Sequence, residues 1–152
     1  QDELIIKLPD LANKWRQNEF MSSHMPFIEK SIEHYQQNDH ISAISVLYPR
    51  IEGIMRSFHI KVKEGKRVTQ NNLVGAAINN KNVVNRPYSL LLPEKFKTYL
   101  LDAYFANFNP KGIKPLSRHS VSHGAAEASD YSLKGITIGF LILDQLSYFL
   151  NS

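Results

Sequence analysis

The chain has 152 residues, 18 Lys and Arg against 14 Asp and Glu, a formal charge of +4 and a hydrophobic share of 43%. This length and composition suit one globular domain with its own core and exclude an intrinsically disordered tail. The absence of cysteine removes disulfides, thiolate metal sites and cysteine nucleophiles, agrees with a cytoplasmic setting, and leaves a basic balance that favours an anionic partner.

Taken in order, the chain opens on Gln1 without an initiator methionine, as expected of a piece cut from a longer protein. Residues 1–25 are expected as an N-terminal extension or linker and residues 26–152 as the folded domain. Within the extension, Pro9 can open a short turn carrying Leu11 and Trp15. Pro26 opens a helix burying Phe27, Ile28, Ile32 and Tyr35. Asp39 is a good N-cap for the clearest amphipathic helix, where Ile44, Leu47, Ile51, Ile54 and Phe58 recur at three- and four-residue steps. Pro49 interrupts that stripe and either kinks the helix or starts a second one.

Residues 61–67 form a basic loop, and Thr69 caps a weak helix through Leu73, Ala76 and Ile78. An asparagine-rich loop runs from Asn79 to Pro87. Pro93 and Glu94 open a helix carrying Phe96, Leu100, Ala103 and Tyr104, which Asn107 to Pro115 terminates. Ser129 or Asp130 caps the last helix, Tyr131 to about Leu150. Its segment Ile136–Leu143 has strand-like residues, but the later Leu143, Leu146, Leu150 spacing favours helix. That segment is too short to span a bilayer and is closed by Asp144, so no membrane role is expected. Gly135 and Gly139 share one face and allow close helix approach. The sum is an all-α, compact bundle of about five to six helices, kinked near Pro49.

The run Leu116-Ser117-Arg118-His119-Ser120-Val121-Ser122-His123-Gly124 carries the chemistry. Arg118 supplies a permanent charge for a phosphate, and His123 a group that exchanges protons near neutral pH. Five-residue spacing leaves the two side chains about 140° apart on a regular helix, so they line opposite walls of a groove or meet their copies across a two-fold axis. The plain alternative makes Arg118 a surface cation and His123 a helix-terminal residue favoured by the dipole. Glu52 and Arg56 form a four-residue pair on the earlier helix. It is an ordinary ion pair unless that helix lies against the motif, where either residue would steer Arg118 or the substrate.

The run from Asn109 to Gly124, followed by an apolar helix, resembles the signature segment of the HEPN superfamily of small helical RNA-cleaving domains. Residues 94–150 follow the family order of helix, loop, arginine, polar residue, spacer, histidine, glycine and closing helix. Ile41–Phe58 resembles its earlier core helix, and residues 1–25 have no counterpart. His119 stands where asparagine is common.

The resemblance implies a bacterial, HEPN-like bundle that pairs as a homodimer through the motif helices. It also implies cleavage of RNA with neither metal nor cofactor. Arg118 would hold the scissile phosphate, His123 would act as general base or acid, and His119 would orient the phosphate or share the proton. Lys61, Lys63, Lys66, Arg67, Lys111 and Lys114 would guide the RNA. Many members of the family have lost cleavage and serve as dimerisation or nucleotide- and RNA-binding modules, which is the first alternative. A second alternative groups His119, His123 and Glu127, at four-residue steps, as a metal site; Gly124 stands between the second and third of them.

Overall fold

The structure is a computed structural model that describes residues 2–62, 68–79, 93–107 and 116–150. All regular elements among these residues are helical: α1 (Asp2–Arg16), α2 (Met25–Gln36), α3 (His40–Val62), α4 (Gln70–Ile78), α5 (Pro93–Tyr99), α6 (Arg118–Ser122) and α7 (Leu133–Phe149). Single 3₁₀ turns lie at Ser22–His24 and Ala128–Asp130, and a π turn at Leu100–Tyr104 extends α5. The all-α bundle follows from the apolar stripes, each of which must find another helix to cover it.

The N-terminal residues depart most from expectation. Residues 2–16 form one helix with Pro9 inside it, where a short turn opened by Pro9 was expected. Leu8, Ala12 and Trp15 fall at helical steps on one buried face, and the Trp15 ring stacks on Phe140 of α7 at 6.3 Å. Burying a leucine and a tryptophan at about 1.5–3 kcal/mol each or more offsets a proline penalty of about 3 kcal/mol. Lys14 then pairs with Asp144 of α7 at 2.8 Å. Phe20, Met21 and Met25 join the same core.

Local signals set the next turn. Asn38 adopts a left-handed conformation, φ 60°, which asparagine tolerates better than most residues. The Asp39 N–H bonds the His34 carbonyl and the Asn38 N–H bonds that of Tyr35, closing α2 in a Schellman motif. Asp39 Oδ1 immediately accepts the Ser42 N–H at 3.0 Å and caps α3. The two helices thus form a tight antiparallel hairpin. On α2, Met25, Ile28, Ser31 and Tyr35 are buried. Phe27, expected inside, is instead half-exposed beneath the Arg50 guanidinium, 4.3 Å from its ring.

Helix α3 is the centre of the bundle, packing against α2, α4, α6 and α7. It runs for 23 residues through Pro49 without starting a second helix there. Ile44, Leu47, Ile51, Ile54 and Phe58 are all buried, as their spacing predicts. They meet Leu100, Phe140 and Leu143 in one core, while Phe96 lies at its edge, stacked on Phe149 at 5.6 Å.

Ser132 caps α7, accepting the Gly135 N–H at 3.2 Å, in place of the expected Ser129 or Asp130, which belong to the preceding 3₁₀ turn. The two glycines of α7 do bring helices together. A methyl group at Gly139 would lie 2.8 Å from Leu47 Cδ2, and one at Gly135 2.7 Å from Leu116 Cδ2. The Tyr48 hydroxyl donates to the Gly135 carbonyl at 3.0 Å across this contact. No helix among the described residues is long and apolar enough to cross a membrane.

These contacts give glycine substitutions opposite signs. Gly75 of α4 faces open space, so Gly75→Ala should raise stability by about 0.5–1 kcal/mol through helix propensity. Gly139→Val should lower it by about 1–3 kcal/mol, because Leu47 is fully buried and cannot retreat. Urea unfolding of both variants measures the contrast.

Candidate functional site

The motif segment folds as a helix defined at both ends by its own sequence. Ser117 Oγ accepts the Ser120 N–H at 3.1 Å, and Ser120 Oγ accepts the Ser117 N–H at 3.0 Å, a reciprocal capping box. At the other end Gly124 takes φ 66°, a conformation that costs glycine little. The N–H groups of Ala125 and Gly124 return to the carbonyls of Ser120 and Val121, completing a second Schellman motif. Five helical residues are thereby held without the length that helix formation usually needs.

Arg118, at the first helical position, turns inward against α3. Its Nε is buried and ion-paired with Glu52 Oε2. Glu52 is itself buried, its side chain only 7% exposed, and its other oxygen takes Nε of Arg56 at 2.7 Å. One carboxylate therefore sits between two guanidiniums, a cluster with a formal charge of +1. Glu52 and Arg56 are joined to the motif as their spacing allowed, since α3 does lie against α6. The Arg118 side chain stays 28% exposed, and it makes no other hydrogen bond or ion pair among the described residues. The guanidinium is anchored along one edge and open on the rest.

Four-residue spacing puts His119 and His123 on one face, with ring centroids 4.3 Å apart. His123 is exposed and His119 partly so. Among the described residues no hydrogen bond or cation–π contact joins either imidazole to Arg118. The five-residue offset therefore acts as geometry requires, sending the arginine to α3 and the histidine outward. Arg118 is less open than a purely solvent-facing residue would be.

Glu127 does not complete a metal site. Among the described residues no three His, Asp or Glu side chains form a group able to hold a metal ion. Its backbone N–H instead bonds Asp130 Oδ2 at 2.9 Å, beyond the break at Gly124. Of the residues expected to guide RNA, Lys61 pairs with Glu19 at 2.7 Å and lies 5.2 Å from the centre of the Phe20 ring. Lys63, Lys66, Arg67, Lys111 and Lys114 lie outside the described residues.

Tyr104 has a part that no residue pattern foretells. Its hydroxyl donates to the Tyr48 carbonyl at 2.6 Å and accepts the Glu52 N–H at 3.0 Å. It thus bridges two backbone groups that a regular helix would join to each other. The π turn aims it there, closed by a bond from the Phe105 N–H to the Leu100 carbonyl, five residues back. Complete burial holds the Tyr104 phenol well above its usual pKa, so it stays protonated and keeps donating. Sequence patterning showed only an aromatic residue on an apolar stripe.

Comparison with known proteins finds no matching family model, no similar curated protein and no similar solved structure.

The two guanidiniums should act on Glu52 non-additively. Arg56→Ala and Arg118→Ala each leave one cation on the carboxylate and should cost about 1 kcal/mol, less for the half-exposed Arg56. The double variant strips a buried charge of both partners and should cost about 3–5 kcal/mol. A double-mutant cycle by chemical denaturation reads the difference.

Proposed function

We propose that this chain is a HEPN-type, metal-independent endoribonuclease domain acting on single-stranded RNA in the cytoplasm as a homodimer. One observation carries the reading. A guanidinium held along its Nε edge by a buried carboxylate lies on the same short helix as two accessible imidazoles. That is the inventory of a ribonuclease: a fixed cation for the phosphate and proton carriers for the two oxygens that change partners.

In the reaction an imidazole, that of His123, takes the proton of the ribose 2′-hydroxyl. The freed oxygen attacks the adjacent phosphorus, the bond to the 5′-oxygen breaks, and that oxygen leaves with a proton from a second imidazole. Arg118 neutralises charge gathering on the non-bridging oxygens, and its pairing with Glu52 fixes its orientation before substrate arrives. Arg56 adds the charge that leaves the cluster positive. Within one chain Arg118 and His123 point apart, which favours a dimer whose motif helices meet across a two-fold axis. Two arginines and four histidines then surround one strand.

The reading predicts cutting of single-stranded RNA in EDTA, with 2′,3′-cyclic phosphate ends, while DNA, lacking the attacking hydroxyl, survives. His123→Ala should lower the rate by about 10²-fold or more. Mixing Arg118→Ala with His123→Ala chains should restore part of it. The catalytically silent module remains the second reading, favoured by the same Arg118–Glu52 pair, which also serves as a structural tie. Under it, Arg118→Ala would cost stability and no RNA would be cut by the parent protein.

A further inference from the structure

Next to the motif helix lies a cleft of about 360 Å³, a size at the small end of ligand pockets. Its floor is apolar, formed by Ala103, Leu116 and Ile138, and Tyr99 walls one side. Ser129, Asp130 and Lys134 also line the cleft; Asp130 accepts the Glu127 N–H, while neither Ser129 nor Lys134 makes a side-chain hydrogen bond or ion pair among the described residues. Tyr99 is 38% exposed. Its phenol is held above the usual pKa by burial, so at neutral pH it presents a neutral ring and a hydroxyl donor.

Two chain connections tie this cleft to the arginine cluster. Leu116 in its floor is followed by the cap Ser117 and then by Arg118. Tyr48, which also lines the cleft, lies one turn before Glu52 on α3, a rise of about 6 Å. Apolar side chains, one partly exposed aromatic ring, hydroxyl and ammonium donors and the acceptor carboxylate of Asp130 suit a flat heterocycle with polar edges of both kinds.

We propose that this cleft is a nucleobase subsite, seating the base of the nucleotide whose phosphate lies on Arg118, with Tyr99 as its stacking face. The assignment rests on the ribonuclease reading for its substrate class, but its test measures binding rather than cutting. The protein is titrated by calorimetry with AMP, CMP, GMP and UMP, and with ribose 5-phosphate, which has the phosphate and sugar but no base.

At least one nucleotide should bind about tenfold more tightly than ribose 5-phosphate, the scale of one stacked base. Tyr99→Ala should erase that margin and leave ribose 5-phosphate binding unchanged. Arg118→Ala should weaken all five ligands. Should Tyr99→Ala disturb the fold, seen as a large loss in melting temperature, Ala103→Phe fills the cleft from its floor and should erase the same margin. Nucleotide affinities unchanged in both variants, or ribose 5-phosphate binding as tightly as every nucleotide, would overturn the proposal. RNA cut with the same rate and base preference by wild type and by Tyr99→Ala would sink the subsite while leaving the ribonuclease reading standing. A base-dependent margin that Tyr99→Ala removes, in a protein that cuts no RNA, would do the reverse.

Discussion

A carboxylate buried on the central helix constrains everything around it. Removing Glu52 from water is costly unless cations and hydrogen-bond donors replace the solvent, and the bundle supplies them from two directions. Arg56 comes from the next turn of the same helix, and Arg118 from a segment 66 residues later in the chain. The second partner fixes where the motif helix docks. Apolar contacts alone would let so short a helix slide, because burial energy is nearly indifferent to register. A guanidinium facing a carboxylate is not. The pair thus locates α6 on α3, and with it the outward face bearing both imidazoles.

What could be read from the sequence divides along physical lines. Signals carried by neighbouring residues were legible. Pro26 and Asp39 opened their helices where expected, Thr69 capped α4, and Gly124 ended the motif helix. The α3 stripe announced its burial at three- and four-residue steps. Contacts that depend on distant partners were not legible. Pro9 reads as the opening of a short turn because its local chemistry says so; only the burial of its helix neighbours Leu8 and Trp15 against distant partners such as Phe140 keeps the helix running through it. Phe27 looked like core until Arg50 covered its exposed ring.

The site shows the same division. Spacing alone predicted that Arg118 and His123 diverge and that Glu52 and Arg56 share a face. It could only pose the meeting of Arg118 with Glu52 as a condition, since nothing local joins residues on separate helices. The phenol of Tyr104 was invisible for a stronger reason. A π turn has no sequence signature comparable to a cap or a proline, and in an ordinary helix the same tyrosine would have pointed elsewhere.

That turn ties the length of the chain to its chemistry. A π turn is an α-helix carrying one surplus residue, and each residue turns a helix by about 100°. Deleting any single position from Leu100 to Ala103 would restore ordinary helical pitch and swing the Tyr104 hydroxyl off the backbone of α3. The amide of Glu52 would then lose the acceptor it now has there. Changes of side chain in this stretch are thus of a different kind from changes of length. The former alter packing by degrees, whereas the latter reset the rotational phase of the helix beneath the buried carboxylate. Related chains that share this core would be expected to vary freely in their connecting loops while keeping the number of residues between Pro93 and Phe105 fixed.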